Sequence, residues 1–265
     1  VHVTAALAAG RPLRVLGAEG ALRGLLLAAA ARSEHPGPVV FVTPDDATAR
    51  TVASDTAFFL GEDTQSGLTP LDDPILVVPE IDVSPYADLS PDPRVVGTRL
   101  ASLYRLGSHR TELGIAPPRV VIASLRALVR RTMPPTAFHR LCRHFGAGQE
   151  LPREQAIEAL LAAGYLRTDV VEDPGTFAVR GGVMDVFVPL LRFPVRLEWF
   201  GDEIERMRLF DPDSQRSLRV IESCPVHPVR ETIPTTREPI RNRLLALADA
   251  NNVPTSTSRQ VIENL

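Results

Sequence analysis

The side chains of this 265-residue chain that could do chemistry fall in a few short stretches. His139, Cys142 and His144 supply two imidazoles and a thiol, all ligand types for zinc, but they lack compact ligand spacing and sit at a domain junction. Asp202, Glu203 and Glu205 bring carboxylates together as general acid–base work requires, yet they surround a predicted hairpin turn, where charged residues are ordinarily solvated. Ser124 and Ser223 have no nucleophile signature around them. Arg126, Arg130 and Arg131 make a basic helix face that could touch DNA phosphates or simply complement a helix C-terminus. All 29 basic residues are arginine, and the chain has no lysine. A lysine Schiff base and a phosphate-loop lysine are therefore excluded, and arginine, always protonated, cannot act as a general base.

What remains is a pattern suited to recognition. Arg196, Glu198 and Phe200 alternate with Val195, Leu197 and Trp199, so in an extended strand the first three share one face and the apolar three the other. The apolar set belongs to a core. Phe200 is left on the charged face, and an aromatic beside an arginine is the composition of a protein-interaction hot spot. Arg180 and Arg196 could each offer a two-pronged donor to a partner carboxylate. Each residue taken singly also has a plain structural reading. Arg196 fits a solvated or cross-strand-paired arginine, Phe200 could fold over the turn that follows it, and Gly181 and Gly182 beside Arg180 could serve a turn or bulge.

The elements that must position these residues fall into two textures. Over residues 1–140, strands are predicted at 14–16, 39–43, 75–78 and 120–122, with helices at 20–32, 45–60, 95–106 and 125–131 between them. Residues 39–43 are wholly apolar, as in a strand that a parallel sheet buries on both faces. Asp45 is the predicted cap of the second helix, and the run His35-Pro-Gly-Pro38 the turn that ends the first. This rhythm means an α/β fold with a doubly wound parallel sheet. After Pro134 and Pro135 one helix remains at 153–163, and strands and tight turns follow to about Val226, a smaller α+β domain. Its clearest unit is a hairpin, 194–200 and 203–210, joined at Gly201 and Asp202. From Arg230 a loop leads to a helix over 240–250 and a polar tail.

The charge balance is nearly even, 29 basic against 32 acidic residues, so no strong field holds nucleic acid. Residues 141–228 are the acidic part, with 10 arginines and 14 acids, which argues against a nucleic-acid grip there. Cys142 and Cys224 are too few for a disulfide framework or a four-ligand zinc site, and both read as reduced thiols of an intracellular protein. No apolar run reaches the roughly 18–20 residues of a membrane span.

The segment 174–189, with Phe177-Ala-Val-Arg-Gly-Gly-Val-Met-Asp-Val186 at its centre, the segment Arg196-Leu-Glu-Trp-Phe-Gly-Asp-Glu-Ile-Glu-Arg206, and Phe210-Asp-Pro-Asp-Ser-Gln-Arg-Ser-Leu218 together resemble the UvrB-homology module of the bacterial transcription-repair coupling factors. The same module occurs in UvrB, which carries a nucleotide-binding loop G-x-x-G-x-G-K-[ST]. Here that stretch reads Gly17-Ala-Glu-Gly20-Ala-Leu22-Arg23-Gly24. Leu22, Arg23 and Gly24 stand where the last glycine, the lysine and the magnesium-binding hydroxyl are needed, and Glu19 adds a negative charge where phosphates would sit. The aromatic-rich hairpin of UvrB is also lost, since residues 79–94 are acidic and proline-rich with Tyr86 alone. Both departures favour the coupling factor over the alternative, a fragment of a UvrB-like ATP-dependent DNA-repair helicase.

The resemblance implies a degenerate nucleotide-binding-like domain at 1–140, a UvrA-binding domain at 141–228 and a truncated further piece at 229–265. It implies that Arg180, Arg196 and Phe200 bind UvrA, that the chain has no catalytic residue, metal or cofactor of its own, and that Gly17, Gly20, Leu22, Arg23 and Gly24 hold no nucleotide. At most an anion would dock on backbone amides near Gly20. ATP and magnesium would act at motor domains beyond Leu265, where RNA polymerase and DNA would also bind. A part of the full-length protein would mask the UvrA face. The expected place is the bacterial cytoplasm, at the nucleoid, with no membrane.

Overall fold

The structure, a computed structural model, describes residues 9, 14–33, 37–62, 73–83, 89–107, 116–231, 234–254, 256, 258 and 259. His35 and Pro36 of the predicted turn, Tyr86, and the last six residues of the polar tail lie outside them. The chain divides into two compact units. One comprises Val1–Ile81, Thr98–Thr132 and Pro189–Phe193, and the other Asp82–Gly97, Met133–Val188 and Pro194–Leu265.

The first unit contains α1 (Leu22–Ala31), β1 (Val39–Thr43), α2 (Asp46–Leu60), β2 (Ile75–Val78), the later part of α3 (Pro93–Leu106), β3 (Val120–Ser124) and α4 (Leu125–Val129). Its three strands are parallel in the order β1-β3-β2, with Val39 and Ile75 both opposite Val120. The sheet has a core on each face, as an α/β fold requires. Leu27, Ala49 and Val52 of α1 and α2 cover Ile75, Val120 and Ile122, while Leu76, Val78, Val121 and Ala123 pack with Ala127 on the other side. The cap predicted for α2 is present, the Asp45 carboxylate accepting from the Thr48 amide at 2.7 Å.

Two expectations need correction here. The strand buried on both faces is the central β3; β1 is an edge strand with Val40 and Val42 exposed, because among the described residues it pairs with β3 alone. Residues 14–16 form no strand, and Leu16 is 78% exposed. An apolar pair next to an arginine gives too little burial to order a strand that no described neighbour accepts.

The second unit holds the start of α3 and then α5 (Pro135–Leu141), β4 (Arg143–Gly146) and α6 (Arg153–Ala162). A six-stranded sheet follows, built from β5 (Leu166–Arg167), β6 (Thr176–Arg180), β7 (Val183–Val186), β8 (Val195–Phe200), β9 (Glu203–Phe210) and β10 (Ser217–Val220). Its order is β10-β9-β8-β7-β6-β5, antiparallel except where β5 and β6 run parallel. β11 (Ser223–Val226) returns to pair with β4. Phe177, Met184, Val186, Val195, Leu197, Ile204, Met207 and Leu209 are fully buried, one face of the sheet in period two. The last helix, α7, spans Pro234–Ala250 and so begins before the predicted 240. It continues through Pro239, forgoing the hydrogen bond that proline cannot donate.

Candidate functional site

The polar face of the six-stranded sheet is assembled by two glycine turns. Arg180 pairs with Val183 across Gly181 and Gly182, and Phe200 pairs with Glu203 across Gly201 and Asp202. Gly181 and Gly201 both have positive φ, 58° and 63°, which a side chain would strain and which matches the twist of a tight hairpin. The β7–β6 turn is anchored from below, since Arg153 donates to the Gly181 carbonyl and the Trp199 amide to that of Gly182.

β8 has the predicted alternation. Val195 and Leu197 are buried and Trp199 is half-buried, its indole Nε1 donating to the Leu151 carbonyl at 2.8 Å. Arg196, Glu198 and Phe200 point the other way, and Phe200 is 79% exposed. A register shift opposite Glu198 and Trp199 inserts one residue in β9, so that Ile204 and Met207 can both face inward.

Besides the exposed Arg206 opposite Glu198, three arginines of this face differ in what they are free to do. Arg180 is exposed, with one hydrogen bond from Nη2 to the Asp169 carbonyl at 2.7 Å. Arg196 stands directly opposite Asp185 on β7 and grips its carboxylate with both prongs, Nε at 2.7 Å and Nη2 at 2.8 Å. Nη2 also donates to Gln215 Oε1 at 2.9 Å, and the guanidinium lies 4.4 Å from the centroid of the Phe210 ring. The hydrogen bonds that Arg196 donates to Asp185 push its pKa still higher than usual. Arg208, opposite Arg196 on β9, pairs with Glu198. The two-pronged donor that sequence reasoning offered to a partner is thus already spent within the sheet. Asp185, Phe210 and Gln215 are the residues that reasoning missed. Asp185 was within reach of the same period-two argument, because Met184 faces the core and its neighbour must face Arg196.

The stretch 17–24 is bonded largely to itself. Gly17 and Gly20 keep positive φ, 73° and 53°. The amides of Leu22 and Arg23 donate to the carbonyls of Glu19 and Gly20, each at 3.2 Å. Arg23 folds back so that Nε donates to the Ala18 carbonyl at 3.0 Å. Gly24 has a separate reason to be glycine. α1 crosses α2 there so closely that a Cβ would stand 2.5 Å from Asp55 Cβ and 2.8 Å from the Thr56 nitrogen.

The remaining candidates separate. Arg126 reaches Glu80 at 3.4 Å, and Glu80 also accepts from Ser124 Oγ at 2.8 Å. Ser124 itself caps α4 by accepting from the Ala127 amide. Ser223 opens β11, Asp202, Glu203 and Glu205 are exposed at the β8–β9 hairpin, and Cys142 is half-buried while Cys224 is buried. Among the described residues no group of three or more His, Cys, Asp or Glu is placed to hold a metal ion. Among them, no helix is long and apolar enough to cross a membrane.

The family profile described as the UvrB interaction domain matches residues 144–231, which contain all six strands of this sheet. Over 261 residues the chain is 38% identical to the transcription-repair-coupling factor of Myxococcus xanthus, a match covering 98% of this chain and 21% of that protein. The chain belongs to the transcription-repair-coupling factors. It is also similar to the coupling factor of Escherichia coli, 30% identical over 214 residues, covering 81% of this chain and 17% of that one. Similarity to the UvrABC system protein B of Gemmatimonas aurantiaca, 31% identical over 130 residues, covers 49% of this chain and 18% of that protein. The chain spans about a fifth of the length of the coupling factors it matches.

Proposed function

We propose that this chain is the module of a transcription-repair coupling factor that recruits the damage-recognition protein UvrA to stalled RNA polymerase in nucleotide excision repair, and that it does so without catalysis of its own. The observation that carries this reading is Phe200, a large aromatic 79% exposed on a strand whose own two charges, Arg196 and Glu198, are each paired. An aromatic left in water, on the same face as the exposed Arg180 two strands away, has the make-up of an interface anchor. The match to the UvrB interaction domain supports UvrA as the partner. The whole protein, on the same reading, is an ATP-dependent DNA translocase in the bacterial cytoplasm, acting at the nucleoid. ATP and magnesium belong to motor domains outside this chain, and another part of the protein masks the Phe200 face until it is needed.

The partial similarity to UvrABC system protein B favours a second reading, a piece of a UvrB-like ATP-dependent helicase. It requires nucleotide binding by this fold, against which stand the spent amides and inward-folded Arg23 of residues 17–24. Calorimetric titration of the chain into UvrA tests the first reading. The parent should bind, and Phe200→Ala should lose about 2 kcal/mol or more of the binding free energy, with a smaller loss for Arg180→Ala. A parent that does not bind, or a Phe200→Ala variant that binds like the parent, would sink it.

A further inference from the structure

We infer that Arg196 serves the UvrA-docking face as a positioning residue, holding the β9–β10 turn in place, and that this turn is a second contact area of the face. The inference rests on the proposed UvrA reading for its partner, and on the geometry around residues 211–216 for its content.

That turn closes a hairpin in which Ser217 is paired with Phe210, and it is tightly self-bonded. The Asp211 carboxylate accepts from the amides of Asp213 at 3.0 Å and Ser214 at 2.8 Å, and these bonds hold its pKa below the ordinary carboxylate value. The Asp211 amide donates to the Arg216 carbonyl, and that of Gln215 to the Asp211 carbonyl. Gln215 occupies left-handed backbone, φ 58°, where a non-glycine residue persists only if its surroundings hold it. Two bonds to its side-chain amide do so: Nε2 donates to the Pro212 carbonyl at 2.8 Å, and Oε1 accepts from Arg196 at 2.9 Å. Arg196 is fixed in turn by Asp185 on one side and the Phe210 ring on the other. One guanidinium thus ties β7, the end of β9 and the turn together, while Asp213, Ser214 and Arg216 stay exposed.

Placement makes the turn part of the same face. Arg196 lies four residues from Phe200 along β8, on the same side of the sheet, which puts the two about 13 Å apart. A partner seated on Phe200 and running along β8 would reach the turn and meet the exposed Asp213, Ser214 and Arg216 there, a mixed polar surface able to exchange hydrogen bonds and ion pairs with it. With three of its N–H bonds already made, Arg196 has little left to give a partner directly.

The test uses the chain itself, without and with UvrA. Backbone amide exchange in the free chain should speed up about tenfold within residues 211–216 in Arg196→Ala and in Gln215→Ala, the change expected when a hydrogen bond to a charged group is lost, while β8 and β9 stay protected. Gln215→Ala, which leaves the Arg196–Asp185 pair intact, should also weaken UvrA binding severalfold, and the double variant should bind no worse than Arg196→Ala alone. If Arg196→Ala weakens binding with exchange in the turn unchanged, Arg196 acts by direct contact and the inference is wrong. If the turn loosens yet Gln215→Ala binds like the parent, the turn lies outside the face and the inference is equally wrong. Failure of the parent to bind UvrA removes the proposed function and the docking half together, whereas the exchange arm still decides the clamp.

Discussion

Gly24 shows how a position can look like a lost function and be held by packing. In the sequence it stands where a nucleotide loop would present a hydroxyl. In the fold it is the point of closest approach between α1 and α2, with no room for a Cβ. Gly24→Ser would restore the hydroxyl and should destabilise the first unit by about 1–3 kcal/mol, as overpacked helix contacts do, with no nucleotide binding gained. Urea denaturation followed by circular dichroism measures this, and a variant as stable as the parent would show that the helices part at little cost. The division of labour between Arg180 and Arg196 is of the same kind. Their types and alternation were legible from a period of two. That Arg196 is consumed by Asp185 and Gln215 was not, because those partners lie 11 and 19 residues away and come together only through β-pairing and a left-handed turn.

Among the elements, the end of β11 leads into a buried imidazole whose titration is displaced by folding. His227, directly after β11, is wholly buried, its Nδ1 2.8 Å from the Pro228 carbonyl oxygen. Burial pushes its pKa from 6.5 down to about 4, so the folded ring stays neutral where an unfolded one would be protonated. Between those two values the unfolded chain binds a proton that the native chain refuses, and stability must fall as pH falls, by on the order of 1 kcal/mol per pH unit. Above pH 6.5 the effect vanishes. Denaturation midpoints should therefore drop steadily from pH 6.5 to 4.5 in the parent and much less in His227→Gln; equal slopes would assign the acid sensitivity elsewhere. The depressed Asp211 carboxylate works in the same direction, but in a window below the usual carboxylate pKa. Elements were readable where pattern and capping agreed, as for α2 and the β8–β9 hairpin. They were misread where burial depends on a neighbour, as with β1, whose apolar run is an edge, and residues 14–16, which no described strand accepts.

For the whole molecule, what matters is that the two units are chemically unlike. Both cysteines belong to the second. Cys142 is half-buried, whereas Cys224 is fully buried and its thiol is pushed up to about 12 by burial. A thiol reagent at pH 8 should accordingly label Cys142 in the native protein and reach Cys224 only through opening of the second unit, at a rate that rises with urea. Rapid native labelling of Cys224, read by mass spectrometry, would mean that β11 opens independently of the rest.

The second unit also holds the chain's single tryptophan, Trp199, next to Phe200 in sequence but turned to the other side of β8 with its indole bonded to Leu151. Indole and exposed aromatic are thus covalent neighbours on opposite faces of one strand. Indole emission from this protein comes from the inner side of β8, so its colour follows the integrity of the fold.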